Sequence, residues 1–418
     1  MIAGNISRLK STYPRQFWLM FLGMLISTIG ASMIWPFLMI YVSSRLELPM
    51  TAVASLLTIN SAVILASSFL AGPLIDRYGR KWMMVASLAL NGGYFLLLGQ
   101  AHSYLAFAGL MVWGGLVNPV YRVGADAMMA DLVPPEKRVD AYSLLRLSNN
   151  AGIAIGPAIG GFIASSSYNL AFFIAAAGML IYSLLLLVFA RETLPTTQGE
   201  VEQRLPKEKW GGYLVILRDR SFIKVVLFFT MVTVCAATMW VLMPVYAKQN
   251  FGVQERQYGF IPTTNAIMVV ALQVLTTQIT KRHAPLLVMA VGAAFYTLAT
   301  GSVSLATGFW GFWIAMVIMS IGELVIVPTS STYVANQAPP DKRGRYMSIY
   351  GLSWGLATGI GSLLGGFLND TFGPKAIWYG AFAIGSIAVI GYLAMYAAHK
   401  RTPIAQPTQI QASPDPDL

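Results

Sequence analysis

The stretch Gly72-Pro73-Leu74-Ile75-Asp76-Arg77-Tyr78-Gly79-Arg80-Lys81 decides how the rest of the chain is read. It is a short, strongly charged turn held between two apolar runs, at about 50–75 and 83–100. Each run is long enough to cross a hydrocarbon core as a helix, which needs roughly 20 apolar residues. Two glycines permit a tight reversal, and the three cations crowd one membrane surface. Asp76 is placed to face the positive N-terminus of another helix.

Outward from this turn, similar runs fall at about 16–42, 104–130, 140–165, 168–190, 221–247, 257–280, 285–306, 309–335, 345–369 and 374–398, which makes twelve. Of the 418 residues 56% are hydrophobic and only 11% are charged, against roughly 25% charged in a soluble protein. The composition excludes a cytosolic enzyme, a disordered chain and a secreted disulfide scaffold. A single cysteine, Cys235, says nothing about redox compartment. The net charge of +11 becomes informative once mapped. With twelve spans and an internal N-terminus, 22 of the 28 Lys and Arg fall in cytoplasmic segments and four in outer loops (Arg45, Lys248, Arg256, Lys375). The remaining two, Arg122 and Arg146, lie within spans. This asymmetry predicts a multi-pass protein of the cell membrane with both termini in the cytoplasm, and argues against a nucleic-acid partner. Residues 1–15 are polar and basic, and the first apolar run is too long for a cleaved signal.

The expected organisation is a cytoplasmic N-terminus (1–15), a first six-helix bundle (16–190), a polar linker (191–220), a second bundle (221–398) and a proline-rich, disordered tail (399–418). The bundles are copies. A shift of 205 residues sets Pro134, Pro135, Lys137 and Arg138 on Pro339, Pro340, Lys342 and Arg343, and Gly156, Gly160, Gly161 and Phe162 on Gly361, Gly365, Gly366 and Phe367. The same shift pairs Trp35 with Trp240, Tyr41 with Tyr246 and Arg77 with Arg282. The fold class is therefore all-α integral membrane, with twelve transmembrane helices in two pseudo-symmetric bundles.

The 72–81 turn matches G-x-L-x-D-R-x-G-R-K, the cytoplasmic loop motif of the major facilitator superfamily, at every specified position, and the chain resembles that family over about residues 10–400. The resemblance implies a secondary transporter with its substrate site near the midplane between the repeats; superfamily members are the standing example of such repeat-built transporters. It also implies that Asp76 meets the start of span 11 and that Arg80 pairs with Asp131 or Asp126. Those contacts would latch the halves in the outward-facing state. The second-half loop, Gln278 to His283, lacks the glycines and the aspartate, which predicts a one-sided latch.

Span 5 carries Gly152, Gly156, Pro157, Gly160 and Gly161, which resembles the G-x-x-x-G-P-x-x-G-G signature of the exporting, proton-antiporting families. Glycines four apart let a neighbouring helix approach closely, and Pro157 bends the span. The family's arginine position on span 4 falls near Met111; Arg122 lies about three turns further on, with Asp126 four residues beyond it.

Glu323 is the one carboxylate placed near a span centre. An ionised carboxylate there costs several kcal/mol, so such residues face a cavity or a partner. Protonated in an empty cavity and ionised beside a cation, it suits proton-for-cation exchange; a structural pair with Arg146 or Arg122 is the competing reading. Arg146 itself is open to three readings: binding an anionic substrate, tuning Glu323, or snorkelling to the inner surface. Trp35, Tyr41, Trp113, Asn118, Tyr121, Asn149, Asn150, Trp240, Met243, Tyr246, Tyr350 and Trp354 are expected to line a mixed polar and aromatic cavity. Aromatic faces attract lipophilic cations and methionines adapt to varied shapes, although Trp and Tyr also anchor helices at the interface.

No P-loop, metal cluster or catalytic constellation is found, so the expectation is a monomeric, non-enzymatic transporter that needs no cofactor and draws on the proton gradient. It resembles most the twelve-span drug:proton antiporters, with efflux of small amphipathic or cationic compounds. A nutrient uptake symporter and a lipid or glycolipid flippase are the alternatives.

Overall fold

The computed structural model describes residues 13–194, 216–339 and 342–401. Most of the expected linker and tail, and the first twelve residues, lie outside the described residues. The described chain is helical throughout, without strands.

The first group of helices is α1 (Arg15–Leu46), α2 (Met50–Tyr78), α3 (Arg80–Leu98), α4 (Tyr104–Leu132), α5 (Arg138–Ser166) and α6 (Tyr168–Phe189). The second is α7 (Arg220–Phe251), α8 (Phe260–Thr280), α9 (Pro285–Val303), α10 (Phe309–Gln337), α11 (Arg343–Phe372) and α12 (Ala376–Arg401), with a short helical turn Glu255–Tyr258 ahead of α8. The boundaries repeat at the sequence offset: Arg15 and Arg220 open α1 and α7, Arg80 and Pro285 open α3 and α9, Leu132 and Gln337 close α4 and α10. Helices dominate because backbone groups in hydrocarbon must be satisfied within their own segment. Pro36, Pro73, Pro119, Pro157, Pro244 and Pro328 stand inside helices, as packed neighbours allow.

Eleven of these helices are long and apolar enough to cross a membrane. The exception is α5, whose first half carries Arg138, Asp140, Arg146, Ser148, Asn149 and Asn150. Part of this polarity has a location: Asn149 and Asn150 line the space between the halves, while the second half of the helix packs against α8. The halves meet through α2 with α11, α5 with α8 and α1 with α7.

We call the end where α1 starts and α12 stops the near end. Contacts between the halves gather at the opposite, far end. There Gln249 donates to Ser43 Oγ at 2.8 Å, Thr58 Oγ1 to the Gly359 carbonyl at 2.8 Å, and Thr263 Oγ1 to the Ala154 carbonyl at 2.8 Å. At Gly366 a Cβ would stand 2.8 Å from Thr51 Cα, so the two backbones cross there only because the residue is glycine. Toward the near end, a Cβ added at Gly72, Gly344, Gly351 or Gly355 would meet nothing within 4 Å. The bundle is closed at the far end and open at the near end.

Candidate functional site

A cavity of about 570 Å³ lies between the halves. Trp35 reaches it from α1 and Trp240 from α7, the two positions related by the repeat. Asn118 and Tyr121 come from α4, Asn149, Asn150 and Pro157 from α5, and Glu323 from α10. The wall is mixed: Ile34, Leu38, Leu88 and Ile153 give apolar surface, while Ser27, Thr28, Ser32, Asn60, Asn91 and Tyr94 add polar groups. A site of this kind suits an amphipathic guest, with fixed polar groups setting orientation.

Glu323 is partly buried on this wall. Asn265, on α8, donates from Nδ2 to Glu323 Oε2 at 2.8 Å and lies 2.9 Å from Ser320 Oγ. Asn265 is itself 4% exposed, so the carboxylate is held from a rigid neighbour. Arg146, exposed on α5, makes no ion pair with Glu323. The alternative of a direct Glu323–Arg146 or Glu323–Arg122 pair is therefore not the observed arrangement. Arg122 and Asp126, four residues apart on α4, likewise form no ion pair, and both are exposed. One turn along a helix brings two such residues near each other without fixing their rotamers.

The 72–81 turn forms an ordered junction. Gly79 has φ +95°, a conformation that only glycine takes without strain. Arg80 forms an ion pair with Asp131 at the end of α4; Asp126 instead accepts Tyr142 through its backbone carbonyl. Glu192, which sequence reading missed, accepts from the backbone N–H groups of Arg80 at 3.0 Å and Lys81 at 3.1 Å, capping α3. Nothing in the sequence marked it, because it sits in a polar stretch beyond α6. Asp76 and Arg77 are exposed. The expected contact of Asp76 with the start of α11 is not made, because the halves stand apart at this end.

The α5 glycines divide their work. A Cβ at Gly152 would lie 2.7 Å from Thr28 Cβ, one at Gly156 2.8 Å from the Ile29 carbonyl, and one at Gly160 2.7 Å from Met33 Cα, so this stripe seats α5 on α1. Gly161 instead faces the Glu255 backbone of the other half. Pro157 lacks an N–H for the Ile153 carbonyl, and the neighbouring Ala154 carbonyl takes Thr263 of α8. The motif thus packs one half internally and touches the other.

Several expected cavity residues lie elsewhere. Tyr41 is buried against Phe107, Tyr168 and Phe172, with its hydroxyl on the Gly99 carbonyl. Tyr246 packs on Phe251, Phe312 and Trp378, and Met243 is fully buried in the second bundle. Trp113 donates to the Leu90 carbonyl on α3. Tyr350 bonds Ser330 and stacks on Phe229, whose ring edge also meets Trp354. Spacing places a residue on a helix but not on a face, and these six side chains face bundle cores or other surfaces.

Two far-end groups were also not foreseen. Glu255 is 6% exposed, ion-paired with Lys248, and accepts Tyr168 Oη of the first half at 2.6 Å. Asp370, near the end of α11, accepts from Met50 N at 3.0 Å, Thr51 N at 2.8 Å and Thr51 Oγ1 at 2.7 Å, all on α2.

The family model described as Major Facilitator Superfamily matches residues 20–249 and 226–416. The chain is 25% identical over 407 residues to a Na(+), Li(+), K(+)/H(+) antiporter of Planococcus maritimus, covering 88% of this chain and 93% of that one. It is 23% identical over 377 residues to the multidrug resistance protein MdtH of Yersinia enterocolitica, covering 88% and 91%. Among solved structures, the nucleoside transporter NupG superposes with a TM-score of 0.77 at 11% identity, covering 91% of this chain and 99% of that one, a likeness of fold.

Proposed function

We propose, from the premise that this chain belongs to the Major Facilitator Superfamily, that it exports small amphipathic or cationic compounds in exchange for protons. It is a multi-pass membrane transporter. In our reading it lies in the cell membrane with the near end in the cytoplasm, works as a monomer by alternating access, and takes its energy from the proton gradient without a cofactor. The observation that carries the reading is Glu323, the carboxylate on the wall of the central cavity, held by Asn265 at 2.8 Å. A membrane carboxylate in such a place binds a cation or a proton, and exchange follows when the two compete for it. Trp35 and Trp240 line the same cavity, and aromatic rings attract lipophilic cations. The α5 signature and the antiporter and multidrug names of two relatives support the same direction.

The test is transport in vesicles with an imposed pH gradient and a fluorescent lipophilic cation as probe. The probe should move against the proton flux, and Glu323→Gln should reduce that movement to background while leaving the folded fraction unchanged. Undiminished exchange by the variant, or movement of probe and protons in the same direction, would overturn the proposal. Replacing the probe with sodium or potassium separates drug export from alkali-cation exchange.

A further inference from the structure

The repeat allows the two halves to be compared residue by residue at the near end. In the first half the space between the start of α1, the end of α4 and the start of α3 is filled with charge. Arg80 pairs with Asp131, Glu192 caps α3, and Gln16 donates to the Arg191 carbonyl at 2.8 Å. Adding 205 replaces Arg80 with Pro285, Asp131 with Asn336, Glu192 with Ala397 and Gln16 with Ser221. Every group that filled the first socket has become small or neutral. A cavity of about 640 Å³ occupies the corresponding place in the second half, lined by Ser221, Pro285 and Asn336 themselves.

The lining of this second socket has one sign. Lys281, His283 and His399 border it, with Thr277, Thr280, Thr329 and Thr332; the first three threonines donate to carbonyls of their own helices, which leaves the Thr332 hydroxyl. An adjoining cavity of about 460 Å³ shares Ser221, Tyr333 and His399 and adds Lys224. The nearby carboxylate, Asp219, is already committed: its Oδ1 caps α7 through Ser221 N and Phe222 N, and its Oδ2 accepts Tyr346 Oη. Helix α9 starts at Pro285 with Ala284 as N-cap, so no side chain supplies the acceptor that Glu192 gives α3. The Gln337 amide borders the space with Oε1 buried and without a hydrogen-bond partner. Such an amide presents a donor when turned over, because its oxygen and nitrogen are interchangeable in outline.

We propose that this socket, built from α7, α8, α9, α10 and α12, binds a phosphate group where the first half carries its own carboxylates. The chemistry required is a compact multivalent acceptor, which Lys281, the two histidines, the Thr332 hydroxyl and the uncapped start of α9 meet together. Basic pockets between helices at a membrane surface take anionic lipid headgroups by the same chemistry, and a free phosphate presents the same oxygens. The site is separate from the central cavity and does not depend on the direction or coupling of transport.

The experiment uses the full chain purified in neutral detergent. One arm measures equilibrium binding of radiolabelled inorganic phosphate. The other measures retention of phosphatidylglycerol against phosphatidylcholine by native mass spectrometry. Lys281→Gln combined with His399→Gln should weaken binding of whichever probe is held by about tenfold, while the far-end control Lys375→Gln binds as the parent does. Thermal unfolding of each variant confirms that it is folded. Retention of phosphatidylglycerol alone assigns the socket to a headgroup, and binding of both probes assigns it to phosphate itself. Binding of neither probe by the parent chain, or equal binding by the folded double variant and the parent, would overturn the proposal.

Discussion

Helices α2 and α11 run side by side through the molecule, and their two ends differ. At the far end α2 begins after Pro49, which offers no side-chain cap, and its first N–H groups at Met50 and Thr51 are satisfied by Asp370 of α11. At the near end α11 begins after Lys342, again without a side-chain cap, and Asp76 of α2 stands exposed. Asp370 lies two residues before the end of α11, and Asp76 two residues before the end of α2. Each helix therefore carries, near its C-terminus, a carboxylate suited to cap the other's N-terminus, and one of the two caps is engaged. Orphan N–H groups and the helix dipole make either contact favourable, by about 1 kcal/mol or somewhat more. The difference gives the proposed alternating access a testable form, in which one cap is traded for the other as the halves rock.

The strongest way to break the far-end closure is at Glu255, where an ion pair with Lys248 and a hydrogen bond from Tyr168 converge on a nearly buried carboxylate. Glu255→Ala removes the bond across the halves and leaves Lys248 unpaired. Because Lys248 is partly exposed, the cost is put at about 2–3 kcal/mol, below that of breaking a fully buried pair. Spin-label distances across the far end should shift to a longer population, and a label at the near end should report closure in the same molecules. Unchanged distances at both ends would show that Glu255 stabilises its own half alone.

Asp370→Ala comes next. It withdraws three hydrogen bonds from α2 and should shift the ratio of far-closed to far-open molecules by about tenfold, corresponding to roughly 1.4 kcal/mol. Accessibility of a single engineered cysteine near Thr51 to a membrane-impermeant thiol reagent measures the shift, and the buried Cys235 gives little background.

Neither of these residues was legible in the sequence, while their near-end counterpart was. A carboxylate at a span end is cheap to solvate, so Glu255 and Asp370 looked like ordinary flanking charge. Asp76 stood out because glycines and cations surround it at fixed spacing. Glu323 stood out because charge is scarce within the spans. The twelve-helix repeat was legible for a simpler reason: length, hydropathy and the offset of 205 are properties of the chain itself. The cavity wall was legible only in part. Trp35, Tyr121 and Asn149 reach it, whereas Tyr41, Tyr246 and Met243 turn into bundle cores. A helix a little over thirty residues long has more polar and aromatic positions than the cavity has places. Which of them face inward depends on tertiary packing that no local pattern records.

The smallest expected effect is at Asp76. In the near-open arrangement its carboxylate is exposed, so Asp76→Ala removes little from this state. It should instead deplete the near-closed population, lengthening the mean near-end distance by a shift opposite in sign to that of Asp370→Ala. The two substitutions lie at opposite ends of the same helix pair and share no partner, so their effects should add. The double variant should then return the ratio of the two arrangements to within about threefold of the parent, while exchange between them becomes faster because both capped states have lost a contact. Distance distributions in the parent, the two single variants and the double variant give the full cycle. If Asp76→Ala moves the ratio in the same direction as Asp370→Ala, the two carboxylates are not alternatives, and the near-end turn serves only to join α2 to α3.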